Sequence, residues 1–316
     1  MYYFLEYYIM VKCPKVYKLP TVKWLKPIKR LIEDNNDNPK NKIYSSELIE
    51  NEITKEKVIV KLSKVTSLLQ SPIKIYETIK ESPHIATIYC FLNCNEKTQI
   101  IDEDYKDTLG FCNADSKDNQ LISLEIMKKY NYSLRKYQKK CDLEETESFI
   151  RYILLFQLEL FKKYNFIHGD IHLGNILVSK QKTDVHVLFN FDDIKLTIIT
   201  KKLLVLTDFE ESIILSSKTK NNLLYEGDVI YTKTLESSIL NTLYCAVELL
   251  NDEKDSYRIS RILNKHNTRA DDTRELVKKY CSNKITTNEY TKEVIKLLYK
   301  IIIPTFYKMF NSNFII

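Results

Sequence analysis

From Ile43 onward, KIYSSELIE and ITKEKVIVKL carry alternating and β-branched apolar residues, a period-two pattern that predicts short strands. Ser71-Pro72 then offers a helix cap and a first-turn proline, and IKIYETIKE continues as a helix to a turn at SPHI. LISLEIM (121 to 127) reads as a buried strand, and YSLRKY as a short helix after it. Asp142 to Glu145 has the D-x-x-E form of a helix start. Behind it Phe149, Ile150, Ile153, Leu154, Leu158 and Phe161 recur at helical spacing and predict a long buried helix. In the last third, LESSILNTLYCAVELL, SYRISRILNKH, DTRELVKKYC and NEYTKEVIKLLYKIIIP all show helical periodicity, and Thr286 with Glu289 forms a capping-box pattern. Strands come early and the last third is helical in outline. There is no internal repeat.

Composition narrows the function classes. The 316 residues are 44% hydrophobic and 28% charged, as in ordinary globular proteins. A net charge of +6 is mild at this length and gives no reason to expect nucleic-acid binding. The seven cysteines are scattered, which suits free thiols in a reducing compartment. Cys90 and Cys94 form a close pair, but no second pair or nearby histidine completes a zinc site. No apolar run reaches the roughly 20 residues a bilayer span needs, and MYYFLEYYIM lacks the basic start and cleavage site of a signal peptide. The expectation is a soluble, cytoplasmic protein. Residues 1 to 40 read as an extension, with a basic segment around Trp24 and a polar stretch EDNNDNPKNK (33 to 42). Its lysines are read as a solvated face of a segment packed along the domain, and membrane contact is not predicted.

The chemistry concentrates in FIHGDIHLGNILV (166 to 178), which holds two of the four glycines and two of the five histidines. Asp170 and Asn175 stand five residues apart, with His168 two before the aspartate. That is the spacing of a phosphoryl-transfer catalytic loop, where an Asp orients the attacking hydroxyl and an Asn holds a metal on the nucleotide phosphates. On these residues the chain resembles the protein-kinase-like superfamily.

The resemblance covers roughly residues 43 to 250 and implies a two-lobed α+β fold, in keeping with that order of elements. The N-lobe would be small and β-rich (41 to 126), the C-lobe larger and helical (127 to 316), with a β insertion at about 179 to 203. It implies ATP and Mg²⁺ as cofactors. Asp170 is then the base or hydroxyl orienter, and Asn175 is a metal ligand. Lys61, in VIVKL, contacts the nucleotide phosphates. Asp208, in LLVLTDFEES, is the second metal-binding acid, standing at the start of the family's D-F-G, with Glu210 in place of its glycine. Glu77 is the nearest acid on the helix that should pair with the strand lysine, and the backbone near Glu125, Ile126 and Met127 meets the adenine. His172 is either a phosphate- or substrate-binding group or a structural loop histidine, whereas His168 is read as structural, bonding the backbone near Asp208. Asp192 and Asp193, in FNFDDIKL, are the rivals of Asp208, and Asp228 is the acid that could begin the central C-lobe helix.

Two departures stand out. No glycine precedes Gly110, so the family's Gly-rich loop is missing, and Gly169 stands where eukaryotic protein kinases mostly carry Arg. H-G-D-x-H-x-x-N occurs in small-molecule kinases of the aminoglycoside and choline type. It also occurs in divergent serine/threonine kinases of poxviruses and other large DNA viruses. The insertion before Asp208, the missing Gly-rich loop, the lack of a clear A-P-E and the Lys-, Asn- and Ile-rich composition look more like the viral branch. That branch implies protein substrates from virion or host and a place in the host cytoplasm or the virion. A small-molecule kinase and a catalytically weak pseudokinase are the alternatives.

Overall fold

The structure is a computed structural model that describes residues 25–30, 41–50, 53–64, 72–94, 122–191, 194–216, 235–264, 276–277, 279–280 and 282–312. It is α+β, with every sheet antiparallel, and divides into two compact units, residues 1–67 with 86–129 and residues 68–85 with 130–316.

The first unit is built on a five-stranded sheet. Strands β1 (Leu25–Arg30), β2 (Asn41–Glu50), β3 (Ile53–Lys64), β4 (Ile88–Cys94) and β5 (Ile122–Lys128) lie in the order β1-β2-β3-β5-β4. The stretch read as an extension therefore contributes the edge strand β1. Side chains alternate across a strand. Val58, Val60 and Ile126 are thus buried on one face, and Lys61, Glu125 and Met127 on the other.

Glu125, Ile126 and Met127, whose backbone the kinase resemblance turns toward adenine, lie within β5. They are registered against β3 on one side and β4 on the other. The chain leaves the strand only after Lys128.

The second unit is organised around α2 (Leu143–Tyr164), the long helix anticipated from Phe149 to Phe161. The Asp142 carboxylate accepts from the Glu145 N–H at 2.8 Å, and Asn165 ends the helix in a left-handed conformation, donating its N–H to the Phe161 carbonyl at 2.7 Å. Replacing Asp142 with Ala is expected to cost about 1 kcal/mol, read as a lowered midpoint in denaturant unfolding. From Tyr152 to Leu158 every residue of α2 is buried, as befits a central helix. It packs on α3 (Leu235–Leu249) and α5 (Thr287–Phe310), while α4 (Glu253–Asn264) packs on α3 and α5. Gln157 satisfies both ends of its amide against α3, donating to Thr242 Oγ1 at 2.5 Å and accepting from Ser238 Oγ at 2.7 Å. α5 begins with the expected capping box at Thr286 and Glu289. Thr291 on α5 donates to the Asn165 side chain at 2.9 Å, so the C-terminal helix braces the end of α2.

The insertion is a long hairpin of β8 (Ile176–Phe191) and β9 (Ile194–Leu206), with β6 (Tyr132–Ser133) beside β8 and a 3-10 turn, Leu134–Tyr137, after β6. Phe189 anchors it. The His84 ring lies stacked between Phe189 at 5.1 Å and Phe156 of α2 at 5.5 Å, and the Leu206 N–H donates to the His84 carbonyl at 2.8 Å. Helix α1 (Pro72–Ile79) buries Ile75, Tyr76 and Ile79. Two short strands, β7 (Phe166–Ile167) and β10 (Ile213–Ile214), pair directly after α2. Among the described residues no helix is long and apolar enough to cross a membrane.

Candidate active site

The loop from His168 to Asn175 leaves α2 through β7 and enters β8, so rigid elements hold both its ends. Asn175 immediately precedes the hairpin. Ile176 pairs with Leu206, and the Thr207 N–H donates to the Asn175 carbonyl at 3.1 Å. The hairpin register therefore brings Asp208 to the mouth that Asn175 occupies, although 33 residues separate them in sequence.

Hydrogen bonds assign the state of the two histidines. His168 is buried, and its Nδ1 accepts the Asp170 N–H at 3.3 Å. The proton then sits on Nε2, which donates to the Thr207 carbonyl at 2.8 Å. This is the bond expected of a structural His168 beside Asp208. Burial pushes its pKa down, opposed by that bond and the nearby carboxylates, so it is neutral at pH 7. His172 follows the same logic. Its Nδ1 accepts the Gly174 N–H at 2.9 Å, which leaves the Nε2 proton pointing toward Asp170 Oδ2, 3.6 Å away.

Asp170 is half-exposed and receives this support from inside the loop. Asn175 Nδ2 donates to its backbone carbonyl at 3.0 Å and to Oδ2 at 3.2 Å. The His172 imidazole 3.6 Å away is the largest influence holding the Asp170 pKa below the ordinary carboxylate value, and burial opposes it. Asp170 is thus an ionised carboxylate, open to solvent and fixed in orientation, as a group that aligns a hydroxyl must be.

Asn175 is buried, and its amide nitrogen is identified by its partners, a carbonyl and a carboxylate, which only accept. Its oxygen therefore points away from Asp170. With the Asp208 carboxylate this makes a hard, all-oxygen donor set, the chemistry that suits Mg²⁺. Among the described residues no group of three His, Cys, Asp or Glu side chains forms a metal cluster, and Asn175 and Asp208 are the residues of this loop that could hold Mg²⁺.

The Asp208 segment is tightly held. Asp208 has φ +67°, Phe209 is buried, and the Phe209 ring lies 6.0 to 6.4 Å from His168, Phe166 and Tyr76. Ser212 donates through Oγ to the His168 carbonyl at 2.8 Å and through N–H to the Phe209 carbonyl at 3.2 Å. These contacts explain Gly169, whose φ is +81° and on which a Cβ would lie 2.2 Å from the Glu211 carbonyl oxygen. Gly174 is also crowded. A Cβ there would lie 2.7 Å from His172 Cε1 and 3.3 Å from the Arg135 guanidinium.

The rival Asp192 and Asp193 lie outside the described residues, as does Asp228. The pair Phe191–Ile194 is the last registered pair of the β8–β9 ladder. Glu77 sits on the exposed face of α1 and forms an ion pair with Lys80 at 2.5 Å. Lys61 is in the first unit, on β3, and is 5% exposed. Sequence reasoning missed Thr207, Glu211 and Ser212, which act through backbone groups or a lone hydroxyl, and Arg135, which reaches Gly174 from 39 residues upstream. No motif marks any of them.

No protein-family description and no curated protein matches this chain. Among solved structures it is similar to the PK-1 kinase of Cydia pomonella granulovirus, with 14% identity over 72% of this chain and 68% of that one and a TM-score of 0.40. The functional reading rests on the loop geometry and on the sequence motifs.

Proposed function

We propose that this chain is a phosphotransferase that moves the γ-phosphoryl group of Mg-ATP to the hydroxyl of a serine or threonine side chain in protein substrates. The observation that carries the reading is Asp170, an exposed carboxylate kept ionised and oriented by His172 and Asn175. Phosphoryl transfer asks the protein mainly for alignment and charge neutralisation. Asp170 accepts a hydrogen bond from the acceptor hydroxyl and takes its proton as the new P–O bond forms and the bond from the γ-phosphorus to the β–γ bridging oxygen breaks, with ADP leaving. Asn175 and Asp208 would hold the metal ion, and Lys61 is the residue the kinase resemblance assigns to the nucleotide phosphates. Mg-ATP supplies the phosphoryl group and the neutralising charge.

Protein as the acceptor, and a large DNA virus with its host cytoplasm or virion as the setting, rest on the resemblance in sequence features. Because H-G-D-x-H-x-x-N also occurs in small-molecule kinases, a small-molecule acceptor is the second reading. Incubating the purified full chain with γ-labelled ATP, Mg²⁺ and virion or host-cell protein separates the two. Label on protein Ser or Thr is the expected result, and label in small molecules alone refutes the protein-kinase reading. Asp208→Ala is expected to abolish transfer and Asp193→Ala to leave it, whereas the reverse pattern would reassign the metal-binding acid.

A further inference from the structure

Lys61 and Glu125 face each other across the central strands of the first unit. They are registered partners in the β3–β5 ladder, so both side chains leave the same face of the sheet. Directly opposed side chains have Cβ atoms about 4.5–5.5 Å apart. Lys61 is 5% exposed and Glu125 is 9% exposed. A charge taken so far from water requires an opposite charge or hydrogen bonds close by.

The rest of that row supplies no other charge. Across the sheet, Ile43 of β2 is registered beside Lys61, and Phe91 of β4 beside Glu125. Two positions away along β3 and β5 stand Ile59, Ser63, Ser123 and Met127. Each of the two charges is thus the nearest opposite charge to the other within the ladder. Glu77, on α1, forms its ion pair with Lys80.

We propose that Glu125 is the carboxylate that holds Lys61, so the ion pair that orients the nucleotide-side lysine is built inside one sheet. Glu125 is a positioning residue. With Oε1 buried and making no hydrogen bond, the carboxylate accepts from the Lys61 ammonium through Oε2 and fixes the direction in which that group presents itself. A pair carried by two strands of one sheet is set by β3–β5 register and needs no helix movement to form. The role of Lys61 toward nucleotide rests on the phosphotransferase reading, whereas the pairing does not.

The test is a double-mutant cycle in the full chain, using Lys61→Met, Glu125→Gln and the double variant, read first by denaturant unfolding. The double variant should lose clearly less stability than the two single losses together, because each single change strands the other charge. Simple additivity would overturn the pairing. Where a single variant fails to fold, the charge-reversed pair K61E/E125K replaces it in the comparison. Recovery relative to K61E alone supports the pair, and no recovery overturns it. Nucleotide binding is read separately, by titrating Mg-ATP. Glu125→Gln should weaken binding roughly 10–100-fold, Glu125→Asp should restore part of it, and Glu77→Gln should have the smaller effect. A larger loss in Glu77→Gln would return the role to α1. If the wild-type chain binds no Mg-ATP, the phosphotransferase reading falls while the unfolding cycle still decides the pair.

Discussion

Replacing Asp170 with Asn is expected to slow phosphoryl transfer by about 10²–10⁴-fold, the range typical of acid–base residues, with an unchanged thermal midpoint. The side chain is half-exposed and lies at the surface of the loop, so an isosteric amide disturbs little packing. The amide cannot accept the substrate proton, and it loses the charge that draws the His172 Nε2–H and the Asn175 amide toward it. The measurement is initial rate against ATP and acceptor concentration, where kcat falls and the ATP KM moves little. Unchanged kcat would remove Asp170 from the mechanism. His172→Ala gives the companion result in pH. His172 is the largest influence holding the Asp170 pKa down, so its removal lets that pKa rise toward the ordinary carboxylate value. The working form is the carboxylate, present above its pKa. The acid limb of the rate profile should therefore shift to higher pH in His172→Ala. A limb that stays in place would mean that His172 does not tune Asp170.

Gly169→Arg, which installs the residue most eukaryotic protein kinases carry at this place, is expected to cost about 4 kcal/mol or more, or to prevent folding. Two costs add. An L residue at φ +81° is strained, and its Cβ would stand 2.2 Å from the Glu211 carbonyl oxygen. The obstacle is backbone, and it is pinned. Ile213 pairs with Ile167, and Ser212 donates to the His168 carbonyl. Relief would require opening the β7–β10 pair and so moving Asp208. Thermal unfolding reads the effect directly, and a midpoint within a degree or two of wild type would contradict the close approach. Here Gly169 follows from the path of the Asp208 segment, which leaves no room for a side chain.

The elements were largely legible because their signals are local. The Asp142 cap, the α2 stripe from Phe149 to Phe161 and the Thr286–Glu289 capping box all lie within a few residues of what they control. The loop was legible for the same reason, since Asp170, His172, Gly174 and Asn175 satisfy one another over six residues. What depends on a distant partner carries no such local signal. Glu125 to Met127 lie between β3 and β4 in the sheet, a flanking set by register. Glu77 lies on the exposed face of α1 beside Lys80, and its place on a helix does not by itself name a partner.

By itself the sequence determined the chemical inventory: an Asp and an Asn at phosphoryl-transfer spacing, two loop histidines, and an Asp-Phe-Glu after an apolar strand. It also determined the α+β order of elements, because hydrophobic period and capping are properties of neighbouring residues. Only the tertiary structure decided how that inventory is used. β8–β9 register carries Asp208 to Asn175, β3–β5 register sets Glu125 opposite Lys61, and the Glu211 carbonyl allows only glycine at 169. Each of these is a contact between segments far apart in the chain. Strand register and close backbone approach are settled by packing among many residues at once, which no local spacing encodes.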